Sequence, residues 1–137
     1  MLVKDARLNE LTGSILSAAI EVHRVLGPGL MESIYSTCTQ HELAARRLRF
    51  VSQQAVPLMY KGMKLESMYR VDLVVEDLVV VEVNCVESIA AVHKAQVITY
   101  LRLTGCPAGL LINFNAPRLM DGVKRLINPF PRENLSR

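Results

Sequence analysis

Two carboxylates in this sequence stand where solvated charges do not belong. Asp72 interrupts Val71, Leu73, Val74 and Val75, and Glu82 interrupts Val79, Val80, Val81 and Val83. An unpaired carboxylate in such surroundings costs on the order of several kcal/mol, so each must find a partner or hold a cation. The residues between them decide whether they meet. A two-residue turn at Glu76-Asp77 would set Asp72 opposite Val81 and send Glu82 to the other face, whereas a three-residue loop or one bulge sets Asp72 opposite Glu82. Facing carboxylates with Cβ atoms about 5 Å apart repel each other unless a divalent ion sits between them. We expect the bulged register and the metal. Asn84 then shares the face of Glu82, two positions on, and Arg70 shares it on the partner strand. Pairing of Asp72 with Arg70 is the simpler alternative.

The elements that must position these groups follow from periodicity. Leu8, Leu11, Ile15, Ala19, Val22 and Leu26 line one face of a first helix, which Gly27-Pro28-Gly29 stops. A second helix is expected from about Leu30 to Leu48, with Glu32 in its first turn and Arg46, Arg47 and Arg49 at its end. Phe50 to Tyr60 reads as a strand, Lys61-Gly62 as a turn and Met63 to Val75 as a longer returning strand, with Pro57 arguing for an edge. The uniformly apolar Leu78 to Val83 predicts a central strand covered on both faces. Ser88 can cap a third helix running through Leu103, and Ala108 to Phe114 supplies a strand parallel to its predecessor. Asn115-Ala116-Pro117 opens a fourth helix over about Arg118 to Ile127. The expected fold is α/β: a small mixed β-sheet flanked by helices, one domain over residues 1–128, with a polar C-terminal tail at 129–137.

Composition bounds the rest. The chain has 137 residues, half of them apolar, enough for one core. A net charge of +3 permits nucleic-acid binding without arguing for it. No stretch of about 18 apolar residues and no cleavable leader is visible, so we expect a cytoplasmic protein with no membrane partner. Cys38, Cys85 and Cys106 lack metal or redox spacing. His23 and His41 likewise lack zinc spacing, and the three arginines read better as a solvated helix end than as a nucleic-acid patch.

Gly29-Leu30-Met31-Glu32-Ser33-Ile34-Tyr35 spells GxxExxY, and the chain resembles the GxxExxY protein family from Leu11 through Ile127. The matching stretches are AAIEVHRVLGPGLMESIY at 18 to 35, YRVDLVVED at 69 to 77, HKAQVITYLRLTG at 93 to 105 and GLLINFNAP at 109 to 117. That family is similar to the PD-(D/E)XK nuclease superfamily, which implies a restriction-endonuclease-like core. By that resemblance Glu32 is the helix acid, Asp72 the strand acid and Glu82 the acid of Glu-x-Lys, together binding Mg²⁺ or Mn²⁺. His93, Gln96 and Tyr100, at three- and four-residue spacing on one helix face, resemble the Gln-x-x-x-Tyr element of recombination-type nucleases. Gln96 would orient a metal-bound water or a phosphate. Tyr35, Arg70, His93 and Tyr100 would wall the site.

The chemistry explains the residue types, because metal-holding carboxylates polarise a phosphodiester and acidify the attacking water, while a lysine positions that water and offsets phosphate charge. Here the sequence reads Glu82-Val83-Asn84, and an amide can hold a water but cannot act as a base or carry positive charge. Without its companions Glu32 is an ordinary first-turn glutamate. Three readings stay open. The leading one is a nuclease-like domain, inactive or weakened, that still binds a divalent metal and contacts DNA, RNA or a protein partner. The second is an active Mg²⁺-dependent nuclease using Asn84 with Arg70, and the third a structural protein-interaction module.

Overall fold

The computed structural model describes residues 2–65 and 69–130, so the tail expected at 129–137 lies, from 131 onward, outside the described residues. Helix α1 spans Leu2–Leu26, starting earlier than the apolar stripe predicted, and α2 spans Glu32–Ala45, shorter at both ends than expected. The shortening has a backbone cause. Gly29 has a φ of 100° and Met31 is extended, so the helix cannot begin before Glu32; Arg47, at a φ of 61°, ends the last turn.

One sheet carries the fold in the order β1 (Phe50–Ala55), β4 (Arg70–Val75), β5 (Val79–Asn84), β6 (Ala108–Asn113) and β7 (Val123–Ile127). β5 and β6 are parallel, as the crossover through α3 (Ala91–Thr104) requires, and the other pairings are antiparallel. On one face α1 and α2 pack Ile15, Ala19, Tyr35 and Leu43 against Leu73, Val81, Val83 and Ile112. On the other, α3 packs Val97 and Leu101 against Val74, Val80 and Leu111. The central strands β5 and β6 are covered on both faces, which is why they read as unbroken apolar runs. Among the described residues no helix is long and apolar enough to cross a membrane.

Three expectations are corrected. The long hairpin Phe50–Tyr60 with Met63–Val75 is not continuous, because β1 stops at Ala55 and Pro57 cannot donate to a ladder. Beyond it β2 (Met59–Tyr60) and β3 (Met63–Lys64) form their own two-stranded sheet around the Lys61-Gly62 turn, and residues 66–68 lie outside the described residues. Ser88 does not cap α3. Ala90 holds that position, and the His93 Nδ1 accepts its N–H at 2.8 Å. The fourth helix is instead one 3₁₀ turn, Leu119–Gly122, followed by β7. Pairing Val123–Ile127 to β6 closes what would otherwise be an open edge, and a Cβ at Gly122 would lie 2.6 Å from the Asn113 carbonyl oxygen.

Tyr35 locks the loop that delivers Glu32. Its buried ring stacks on Phe114 at 4.7 Å, its hydroxyl donates to the Gly27 carbonyl, and the Leu30 N–H donates back to that hydroxyl at 3.1 Å. Tyr35→Phe leaves the stack and strips both backbone groups of their partner. Denaturant unfolding should show a loss of about 1–3 kcal/mol, and unchanged stability would mean that solvent already serves this loop.

Candidate active site

The ladder between β4 and β5 pairs Val75 with Val79, Val74 with Val80 and Leu73 with Val81. Glu76, Asp77 and Leu78 form the connection, a three-residue loop in which Glu76 and Asp77 take φ values of 54° and 56°. Continued by one step, this register sets Asp72 opposite Glu82. The offset thus comes from the loop, with no bulge in those rungs. At the Asp72 rung side chains replace the ladder: the Asp72 N–H donates to Glu82 Oε1 at 3.1 Å, and the Val83 N–H donates to Asp72 Oδ2 at 2.9 Å. Each carboxylate therefore satisfies an amide of the opposite strand.

β4 also turns over here. Leu73 and Val75 face the α1–α2 core, yet Val71, two residues before Leu73, joins Val74 on the α3 side. On the outer strand, Gln53 stands opposite Asp72 with a φ of 54°, while the pairings on both sides of it keep one register. The Gln53 Nε2 donates to Asp72 Oδ1 at 3.3 Å, and Arg70 Nη1 donates to the Gln53 carbonyl at 3.0 Å. Arg70 therefore holds the backbone beside Asp72 and makes no ion pair with it.

Glu32, the first residue of α2, reaches this point from one face of the sheet. It lines a cavity of about 400 Å³ with Asp72, Gln53 and a polar row on α2, namely Ser33, Ser36, Thr37 and Gln40. From the other face comes Tyr100, buried and tilted against Tyr69, whose hydroxyl accepts from exposed Gln96 Nε2 at 3.0 Å. Asn84 is half-buried at the end of β5, and strand alternation puts it on the face of Glu82, opposite Val79, Val81 and Val83. His93 serves the α3 cap and Tyr35 the core, so neither is brought against the acidic pair.

Burial raises all three acids, and charge adds to it at Glu82 and Glu32. Glu82, 7% exposed, is raised from 4.5 to about 8, first by burial and then by the charge of Asp72, with Glu32 adding a smaller push. Burial also raises Asp72, against the hydrogen bonds from Val83 and Gln53, and it raises Glu32, where Asp72 is the second cause. The Tyr100 hydroxyl is raised by burial and then by Glu82, so it stays protonated. The ion pairs among the described residues, Arg24–Glu21, Arg46–Glu42 and Arg49–Glu76, involve none of the three acids.

Residues 9–126 match the PD-(D/E)XK nuclease superfamily. The chain belongs to that superfamily. No curated protein and no solved structure matches. PD-(D/E)XK nucleases generally use divalent metals, and the donor chemistry here fits one: three carboxylates, all hard oxygen ligands, raised first by burial and, at Glu82 and Glu32, further by the charge of Asp72, and unpaired with any cationic side chain among the described residues. Yet no three His, Cys, Asp or Glu side chains among the described residues are grouped closely enough to hold a metal ion. Asp72 and Glu82 form a contacting pair through the open rung, and Glu32 joins by its field from the rim. Sequence reasoning missed Gln53 and the polar row of α2. Ser33, Ser36, Thr37 and Gln40 follow Glu32 at helical spacing, a signal that was readable, whereas Gln53 needed the β1–β4 register.

The raised acids fix a sign for pH dependence. Glu82 keeps its proton in the fold up to about 8 but loses it near 4.5 when unfolded, so its stabilisation is complete below 4.5 and lost as pH rises through 8. Metal-free protein should weaken across that window, and Glu82→Gln should flatten the curve. Urea midpoints measured against pH check this, with parallel curves for both proteins as the contrary result.

Proposed function

We propose that this chain is a PD-(D/E)XK nuclease-like domain that holds Mg²⁺ or Mn²⁺ at Asp72 and Glu82, with Glu32 acting from the rim of the cavity, and engages nucleic acid with a strongly weakened hydrolytic step. The observation that carries this reading is the open β4–β5 rung, where two carboxylates, without a cationic partner among the described residues, face each other inside a sheet. A bound divalent ion supplies phosphate polarisation and a more acidic attacking water. The protein's own groups do the rest. Asp72 and Glu82 are oriented by the amides of Val83 and Asp72, and Gln53 fixes the remaining Asp72 oxygen. Gln96 spends its amide N–H on Tyr100, which leaves its carbonyl oxygen to orient a water.

Residue 84 is where this reading parts from a fully active enzyme. An asparagine on the face of Glu82 can hold a water by hydrogen bonds, but it neither takes the proton nor offsets charge on the phosphate. Arg70, the candidate substitute, donates to the Gln53 carbonyl and cannot serve as a base.

General-base assistance contributes about 100- to 10,000-fold, roughly 3–5 kcal/mol of barrier. Wild-type protein should therefore show little Mg²⁺-dependent plasmid nicking. Asn84→Lys should raise it, and adding Asp72→Asn should abolish the gain. Mn²⁺ binding followed by calorimetry should be present in wild type and lost in Asp72→Asn. Robust wild-type cleavage that Asp72→Asn removes would establish an active nuclease; absence of both metal binding and cleavage would leave a protein-interaction module on a nuclease fold.

A further inference from the structure

The β2–β3 hairpin is an arm with no partner in the main sheet. Among the described residues it pairs only with itself, Met59 to Lys64 and Tyr60 to Met63, closed by the two-residue turn Lys61-Gly62 with both φ values positive, 47° and 84°. Two-stranded hairpins are marginal alone and ordinarily spend their apolar side chains on a neighbouring layer. Here Met59, Tyr60 and Met63 are 54%, 56% and 55% exposed. The register puts Tyr60 and Met63 together on one face of the ribbon, continuous toward its base with half-buried Leu58 and Leu65, which are joined by a 2.8 Å backbone bond. Lys61 and Lys64 supply the charge, with the Lys61 ammonium 5.4 Å from the Tyr60 ring centre, and residues 57–65 contain no acid.

We propose that this arm lies in a groove of double-stranded nucleic acid, with Tyr60 and Met63 toward the base edges and Lys61 and Lys64 on flanking phosphates. Charge complementarity selects this occupant, because lysines beside an exposed aromatic suit a polyanion that also presents flat apolar surface. A two-stranded ribbon also matches the width of a major groove. The position agrees. The arm is inserted between β1 and β4, the strands that carry Gln53 and Asp72, and the Val56–Tyr69 backbone bond forms its root. At about 3.3 Å per residue, the eight steps from Gln53 to Lys61 span at most about 26 Å, close to eight base pairs of about 3.4 Å each. One duplex can therefore meet the arm and the acidic pair together. This inference rests on the nucleic-acid part of the proposed function and names its substrate class.

Fluorescence anisotropy with a labelled duplex oligonucleotide and its single strand, in EDTA across a salt series, tests it. Wild type should prefer the duplex. Lys61→Ala with Lys64→Ala should lessen the slope of log affinity against log salt by about 1.8, two phosphates' worth of released counterions. Tyr60→Ala should weaken binding about tenfold while Tyr60→Phe restores it, with unfolding midpoints unchanged in all variants. Duplex binding that none of these substitutions alters would overturn the arm and leave the nuclease-like reading intact, as would preference for the single strand. No binding by wild type would overturn the arm and the nucleic-acid role together, while metal binding at Asp72 is judged separately by the Mn²⁺ titration.

Discussion

Everything in this fold is arranged around one rung of a β-sheet that backbone hydrogen bonds do not close. Between Leu73–Val81 and the strand ends, Asp72 and Glu82 accept amides of the opposite strand, so the ladder is completed by carboxylates. Placing two like charges there is unfavourable, and the fold bears that cost through rigid surroundings: β5 and β6 are buried on both faces and β7 seals the far side of β6. The distortions gather at the same point. Gln53 takes a left-handed conformation opposite Asp72, and β4 exchanges its faces between Val71 and Leu73. Residues held in such conformations persist only where the neighbouring structure over-determines them, and they cluster at functional sites.

The turn-over of β4 also explains how groups from both faces reach one place. On a regular sheet Glu32 of α2 and Tyr100 of α3 would be separated by the strands. At an opened rung the separation fails, so Glu82 feels the charge of Glu32 while Tyr100 feels the charge of Glu82. Delivery of Glu32 depends on chemistry further back. Gly27 and Gly29 bend the chain through φ values that other residues resist, Tyr35 bonds both sides of the bend, and Phe114 holds the Tyr35 ring from the end of β6. His23 adds a second tie, from α1 to the Ala116 carbonyl at 2.8 Å. The Gly-x-x-Glu-x-x-Tyr spacing is thus a loop, its acid and its clamp.

Much of this was legible because burial leaves a pattern. The charge inside Val79–Val83 and the charge inside Val71–Val75 marked the pair, and their offset required a three-residue loop or a bulge to bring them together; the loop was the device used. What escaped was set by tertiary partners. Val123–Ile127 carries alternation too short to distinguish from a helical turn, and only the open edge of β6 makes it a strand. Ser88 is a better cap by propensity than Ala90, yet the His93 ring supplies the cap from within the helix. The break after Ala55 was signalled by Pro57 but read as an edge, and the arm beyond it hid inside a run rich in β-formers.

Asn84 and the high pKa of Glu82 belong to a single charge balance. Burial, Asp72 and Glu32 all push Glu82 toward its neutral form, and the resemblance to Glu-x-Lys identifies residue 84 as the place from which an ammonium would push back. With an amide there, a proton on Glu82 takes over the neutralising role near pH 7. Glu82 would have to release that proton to serve as a ligand, so metal affinity at this site would carry a pH dependence that a lysine would lessen. The same lysine would also repel the metal and claim part of the carboxylate's charge. On the proposed reading, asparagine at residue 84 has two opposed effects: it withholds a group that hydrolysis would use, and it leaves the acidic pair to be neutralised by a proton on Glu82 or by a cation that replaces it. On that reading the site is better suited to holding a cation than to turning over a phosphodiester.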